Sequence, residues 1–255
     1  MKKIALIGLA VMALFSVNAQ TVKKASQVAG KKNPHINVFN QALRSGDVNA
    51  AAVALNYYIS EQGASNTYAD TLAMLYMQLG AYPQCYYWAN GRLQQNPDDK
   101  ALMEMKGISL DKMQQPKEAI DVFEKLFKAT QNPYHAYKLM ELQYGIKRLA
   151  ECLVTANAAE KLTYKPEMIM TYSVGEQVGR TYLEAGVLNI HGLTLYDLDK
   201  KAEAKSYFEK AVALDSNFVL ARQNLEAIKL EAAGKSAPVN PATNTPGAPP
   251  ANKNN

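Results

Sequence analysis

GLTLYDLDKKAEAKSYFEKA, residues 192–211, and GISLDKMQQPKEAIDVFEKL, residues 107–126, place the same kinds of side chain at the same offsets. Gly192, Leu195, Ala204, Phe208 and Ala211 in the first stretch correspond to Gly107, Leu110, Ala119, Phe123 and Leu126 in the second. Small, large, small and aromatic groups recurring in this order imply one structural unit used more than once. The small residues let two helices approach closely, and the larger ones fill the space between neighbouring units. Asn132-Pro133 then breaks the second helix of the unit that starts at Lys100.

Stepping back from Lys100 by roughly 34 residues lands on Asn66. There Ala73, Tyr76, Gly80, Tyr82 and Cys85 take the small, large, turn, aromatic and small places. A further step gives a unit from Lys32 with Ala42, Ala51, Leu55 and Tyr58, and Gly46-Asp47 as its tight turn. A fourth unit from Pro133 fits with a slip of one residue, through Met140, Leu149, Cys152, Ala156 and Ala159. The expected units are therefore 32–65, 66–99, 100–132, 133–166 and 185–217. A last helix over 218–233, with Leu220, Leu225, Ile228 and Leu230, would cap the open end.

Residues 167–184 interrupt the register. Met168, Met170 and Tyr172 alternate with Ile169, Thr171 and Ser173, and a second β-leaning run starts at Val178 after a Gly-containing link. This pattern predicts a β-hairpin, with an irregular loop or an additional helix as alternatives. An insertion in a regular array is a candidate binding element.

The units resemble the tetratricopeptide repeat family over about 200 residues, although none carries the full Trp-Leu-Gly-Tyr…Ala…Phe…Pro set. The resemblance implies an all-α, right-handed solenoid of about five helix pairs. It also implies partner binding on a concave face lined by the first helix of each pair. The inward positions of those helices are Asn37, Asn40 and Arg44; Asp70, Met74 and Met77; Glu104 and Lys112; Lys138; and Asn189 and Tyr196. Asn can hydrogen-bond an extended peptide backbone, and Met adapts to varied apolar groups. The family's clamp for a terminal carboxylate uses Lys, Asn and Arg. Ile36 and Asp70 stand where basic or amide groups would serve it, so that clamp is not expected.

Both ends of the chain read differently from the array. Lys2 and Lys3 precede an apolar run from Ile4 to Phe15, and Ser16-Val17-Asn18-Ala19 offers small residues for cleavage. This is the pattern of a secretory leader over 1–19, cut after Ala19, followed by a linker over 20–31. The run is short for a membrane span, which takes about 20 residues. A retained anchor is the alternative. Residues 235–255 are mostly Pro, Asn, Ala, Gly and Thr, too apolar-poor to offset the entropy of ordering, so a disordered tail is expected. Leader, array and tail together look like exported bacterial repeat proteins, periplasmic or secreted. The formal net charge is +5. Removing Lys2 and Lys3 with the leader lowers it further, which is too mild to argue for nucleic acid.

Little in the sequence points to catalysis. Cys85 and Cys152 occupy the same small-residue place two units apart, too far for a disulfide, and read as buried thiols. His35, His135 and His191 fall in three different units, with no partner at metal-ligand spacing. There is no phosphate-binding Gly-rich loop and no nucleophile elbow. The expectation is a non-catalytic scaffold without a cofactor, binding a peptide or protein segment. The alternative is an accessory subunit of an envelope enzyme or of a secretion machine, stable mainly within its complex.

Overall fold

The computed structural model describes residues 33–63 and 68–234. The expected leader, linker and tail lie outside them. Helix starts are set by short polar side chains that accept from the first free backbone N–H groups. Asn33 accepts from His35, Asp47 from Ala50, Asp99 from Leu102 and Asn132 from Tyr134, all at 2.8–3.0 Å. Eleven helices follow among the described residues. They are α1 (Pro34–Ser45), α2 (Val48–Gln62), α3 (Tyr68–Gln78), α4 (Tyr82–Leu93), α5 (Lys100–Lys112), α6 (Pro116–Thr130), α7 (Pro133–Gly145), α8 (Leu149–Ala159), α9 (Leu183–Asp197), α10 (Lys201–Leu214) and α11 (Val219–Ala232). Between α8 and α9 stand β1 (Ile169–Val174) and β2 (Gln177–Tyr182).

The turn inside each helix pair takes a left-handed backbone residue. Gly46, Gly80 and Gln114 hold it at φ +74°, +67° and +61°, and Lys147 and Asp199 at +60°. The first three are spaced by 34 residues and Lys147 follows Gln114 by 33. The one-residue slip of the fourth unit is thus written into the backbone. Glycine adopts this conformation freely, whereas Gln, Lys and Asp do so at a cost of about 1 kcal/mol.

The described residues divide into two compact units, one ending at Val122 and the other starting at Phe123, with the boundary inside α6. In the first, α3 packs on α2, α4 and α5. Its core is a succession of small clusters. Phe39, Leu55, Ile59, Tyr68 and Leu72 join α1, α2 and α3, and Met77, Cys85, Ala89 and Leu102 join α3, α4 and α5. In the second unit α9 is the hub, packing on α7, α8, α10 and α11. There Leu195, Ala204, Phe208, Leu225 and Ile228 form one cluster, and Ala185, Leu188, Ala211, Phe218 and Leu220 form another. Both cysteines are free and fully buried. Burial pushes each thiol up to about 11.

The recurring small and aromatic positions meet in a direct contact. A methyl group added at Gly192 would come within 2.6 Å of the Phe208 ring. The aromatic therefore rests on bare helix backbone. The interruption is the hairpin that the alternation predicts: β1 and β2 pair antiparallel with Val174 opposite Gln177. Gly175, at φ +59°, is the first residue of the two-residue link, as a type II′ turn requires. Met170 drops onto Gly186 of α9, whose missing side chain makes the room. Tyr172 stacks edge-on against Phe218 at 4.9 Å. Its hydroxyl accepts from the Val219 backbone N–H at 3.2 Å and donates to the Asn217 carbonyl at 3.4 Å. The hairpin is thereby tied to the start of α11.

Two stability outcomes are expected. Gly192→Ala forces the Phe208 ring out of place and destabilises the second unit by about 1–3 kcal/mol. Gln114→Gly relieves the left-handed turn and stabilises by about 0.5–1 kcal/mol. Chemical denaturation of each purified variant against the parent chain checks both signs.

Candidate functional site on the first helices

In each unit the first helices of successive pairs are neighbours: α3 packs on α5, and α9 on both α7 and α11. This arrangement gives each unit a face made of first helices. The eleven positions read from the sequence meet different fates on these faces.

On α1, Asn37 and Arg44 are exposed and Asn40 is half-buried. Their spacing of three and four residues puts them on one side of the helix. On α5, Lys112 is exposed and Glu104 half-buried, and on α3 Met74 is half-buried against the core. Met77, one turn further, is only 6% exposed and belongs to the core between α3, α4 and α5. It fills space between helices and is not presented for contact.

Three polar positions are engaged within the protein. Asp70 takes a two-point grip from Arg92 of α4, with Nε at 2.5 Å from Oδ1 and Nη2 at 3.3 Å from Oδ2. The hydrogen bond to Asp70 holds the Arg92 guanidinium above its ordinary value. Lys138 pairs with Glu141 one turn along α7, and the Tyr137 hydroxyl donates to the same carboxylate at 3.3 Å. Tyr196 donates to Glu231 of α11 at 2.9 Å, and Lys201 reaches the other Glu231 oxygen at 2.5 Å. Asn189 departs furthest from the expectation. It is fully buried, and its carbonyl accepts from Asn224 of α11 at 2.9 Å. The capping helix covers it.

The histidines are packing residues. His35 contacts Glu61 at 3.1 Å, and His135 lies 2.8 Å from the Thr130 hydroxyl. His191 is 1% exposed, stacked 3.9 Å from the Tyr207 ring centroid. Its Nδ1 sits 2.5 Å from Glu160 Oε1, but the carboxylate lies off the N–H direction. The contact is electrostatic more than a well-aligned hydrogen bond. Burial holds the imidazole below its ordinary value, and Glu160 only partly offsets this. Among the described residues no group of three or more His, Cys, Asp and Glu is placed to hold a metal ion. None of the described helices is long and apolar enough to cross a membrane.

Polar groups on second helices escaped the sequence reading. Glu160, Tyr207 and Lys210 meet around His191 because α8 and α10 both flank α9. Nothing in the local pattern of any one helix announces that meeting.

The fold is that of a helix-pair repeat array of the tetratricopeptide type. Residues 185–218 match the tetratricopeptide repeat family. Solved structures share the architecture at low identity. MamA from Desulfovibrio magneticus RS-1 is 19% identical with a TM-score of 0.57, over 72% of this chain and 95% of that one. YrrB, described as a TPR protein with an unusual peptide-binding site, is 17% identical with a TM-score of 0.61, over 84% of this chain and 100% of that one. At these identities the likeness is one of fold. No curated protein matches the sequence.

The His191 environment predicts a pH effect. Its imidazole takes up a proton more readily in the unfolded chain than in the folded one, so stability falls as pH drops below about 6.5. Glu160 and Glu203 moderate the loss, and Lys210 adds to it. His191→Gln flattens the dependence between about pH 7 and pH 5 relative to the parent, measured as denaturation midpoints. An unchanged slope would count against the assignment.

Proposed function

We propose that the protein is a non-catalytic scaffold of the bacterial cell envelope that holds a peptide or protein segment on its first-helix faces. The carrying observation is the contrast between α1 and the later first helices. Asn37, Asn40 and Arg44 share one side of α1, two of them exposed. Asp70, Lys138 and Tyr196 are engaged internally. Side-chain amides and a guanidinium on a preformed helix suit an extended backbone and an acidic group, with little ordering cost on the receptor side. On the first unit's later helices, exposed Lys112 adds a cation and half-buried Met74 an adaptable apolar group. The fold it shares with tetratricopeptide proteins, one of them described as having a peptide-binding site, supports an interaction role. Export rests on the basic-then-apolar start and the small residues before Gln20.

The test is a crosslinking capture from the envelope of the source cells, with the parent chain and an Asn37→Ala/Asn40→Ala/Arg44→Glu variant side by side. The parent recovers a reproducible partner and the variant loses it, while both melt alike. Recovery of the same partner by both places the contact elsewhere on the molecule. Intact mass of the recovered chain begins at Gln20; a chain that retains the first nineteen residues overturns the cleaved leader.

A further inference from the structure

The interruption of the repeat opens a cleft beside it. Where a short turn would lead into the next pair, residues 160–168 run as a linker from α8 to β1. Glu160 and Tyr164 of this linker, with residues of α9 and α10, line a cleft of about 420 Å³. That volume lies within the usual range of ligand sites, roughly 300–1,000 Å³. Val187, Leu188 and Leu214 supply its apolar lining, and Glu184 a second carboxylate.

The charges in this cleft do not cancel. Burial first, and then the charges of Glu184 and Glu160, push the Tyr164 phenol up, so both carboxylates act on that ring. Glu184 makes no ion pair among the described residues. Glu160 lies against His191, which burial keeps neutral near pH 7. The one cation in the lining, Lys210, sits 4.4 Å over the Tyr207 ring. Two carboxylates face one ammonium beside an apolar wall.

We propose that this cleft receives a lysine or arginine side chain, flanked by apolar residues, from a partner polypeptide. The aliphatic stem would lie along Val187, Leu188 and Leu214, with the cationic head at Glu160 and Glu184. Long basic side chains bury their stems and keep their heads polar in this way. The aromatic ring of Tyr164, which lines the cleft, adds a favourable face for a cation. Glu184, Val187 and Leu188 lie about 100–160° around α9 from Asn189, at 3.6 residues per turn. The cleft is thus separate from the first-helix face, and the inference does not depend on the function proposed for that face.

The experiment titrates the purified chain with acetyl-Ala-Leu-Lys-Leu-Ala-amide and with its norleucine and glutamate counterparts, followed by methyl NMR at low salt. The lysine peptide saturates and shifts the Val187, Leu188 and Leu214 methyls. The norleucine and glutamate peptides bind at least about tenfold more weakly. Glu160→Gln with Glu184→Gln lowers affinity for the lysine peptide by about tenfold or more, and added salt weakens it further. Should the double variant melt early, Glu184→Gln alone serves, since that carboxylate holds no ion pair. Lack of saturation by the lysine peptide, equal binding of the norleucine peptide, or undiminished binding by the folded Gln variants would each overturn the proposal. Shifts confined to residues outside the cleft would do the same.

Discussion

The Phe208 ring packs against the bare backbone of Gly192, and that contact sets the distance between the helices of its pair. A buried aromatic of this size at this distance needs a facing residue with no side chain at a fixed place along the partner helix. The chain must also reverse between the helices within a few residues, which is why a left-handed position recurs in every turn. Repeat length follows from these two requirements. Once both are met, each pair buries its flanks only by stacking on the next, and the core becomes a succession of small clusters instead of one large one.

The same requirements explain what could be read from the sequence. Small and aromatic residues at fixed offsets revealed the pairs, and the alternation around Gly175 revealed the hairpin. The left-handed turns at Gln114, Lys147 and Asp199 were invisible, because those residues carry no mark of the conformation they are forced into. The candidate face was legible only in part. A helix periodicity says which side a residue occupies, not what comes to cover it. Asp70 finds Arg92 twenty-two positions away, and Asn189 finds Asn224 thirty-five away. Met77 read as an adaptable contact residue, but α4 and α5 enclose it.

Polar groups on this scaffold serve two separate ends. Some hold neighbouring helices in register, as Arg92 does for α3 and α4, and Glu231 does for α10, α11 and Tyr196. Others, on α1 and at Glu184 beside the linker of residues 160–168, tie no neighbouring helix in this way among the described residues. They gather on the first described helix and where the regularity of the array breaks.

The tie between Tyr172 and the start of α11 has a mechanical consequence. A linear stack pulled from its carboxyl end can peel one helix at a time, because each holds only to its neighbours. Here α11, the last described helix, is also fastened to a hairpin more than forty residues earlier, through the ring contact with Phe218 and the hydroxyl at Val219. Load applied through residues beyond Gly234 therefore meets α11 and the hairpin together. The irregular element acts as a brake against unravelling from that side.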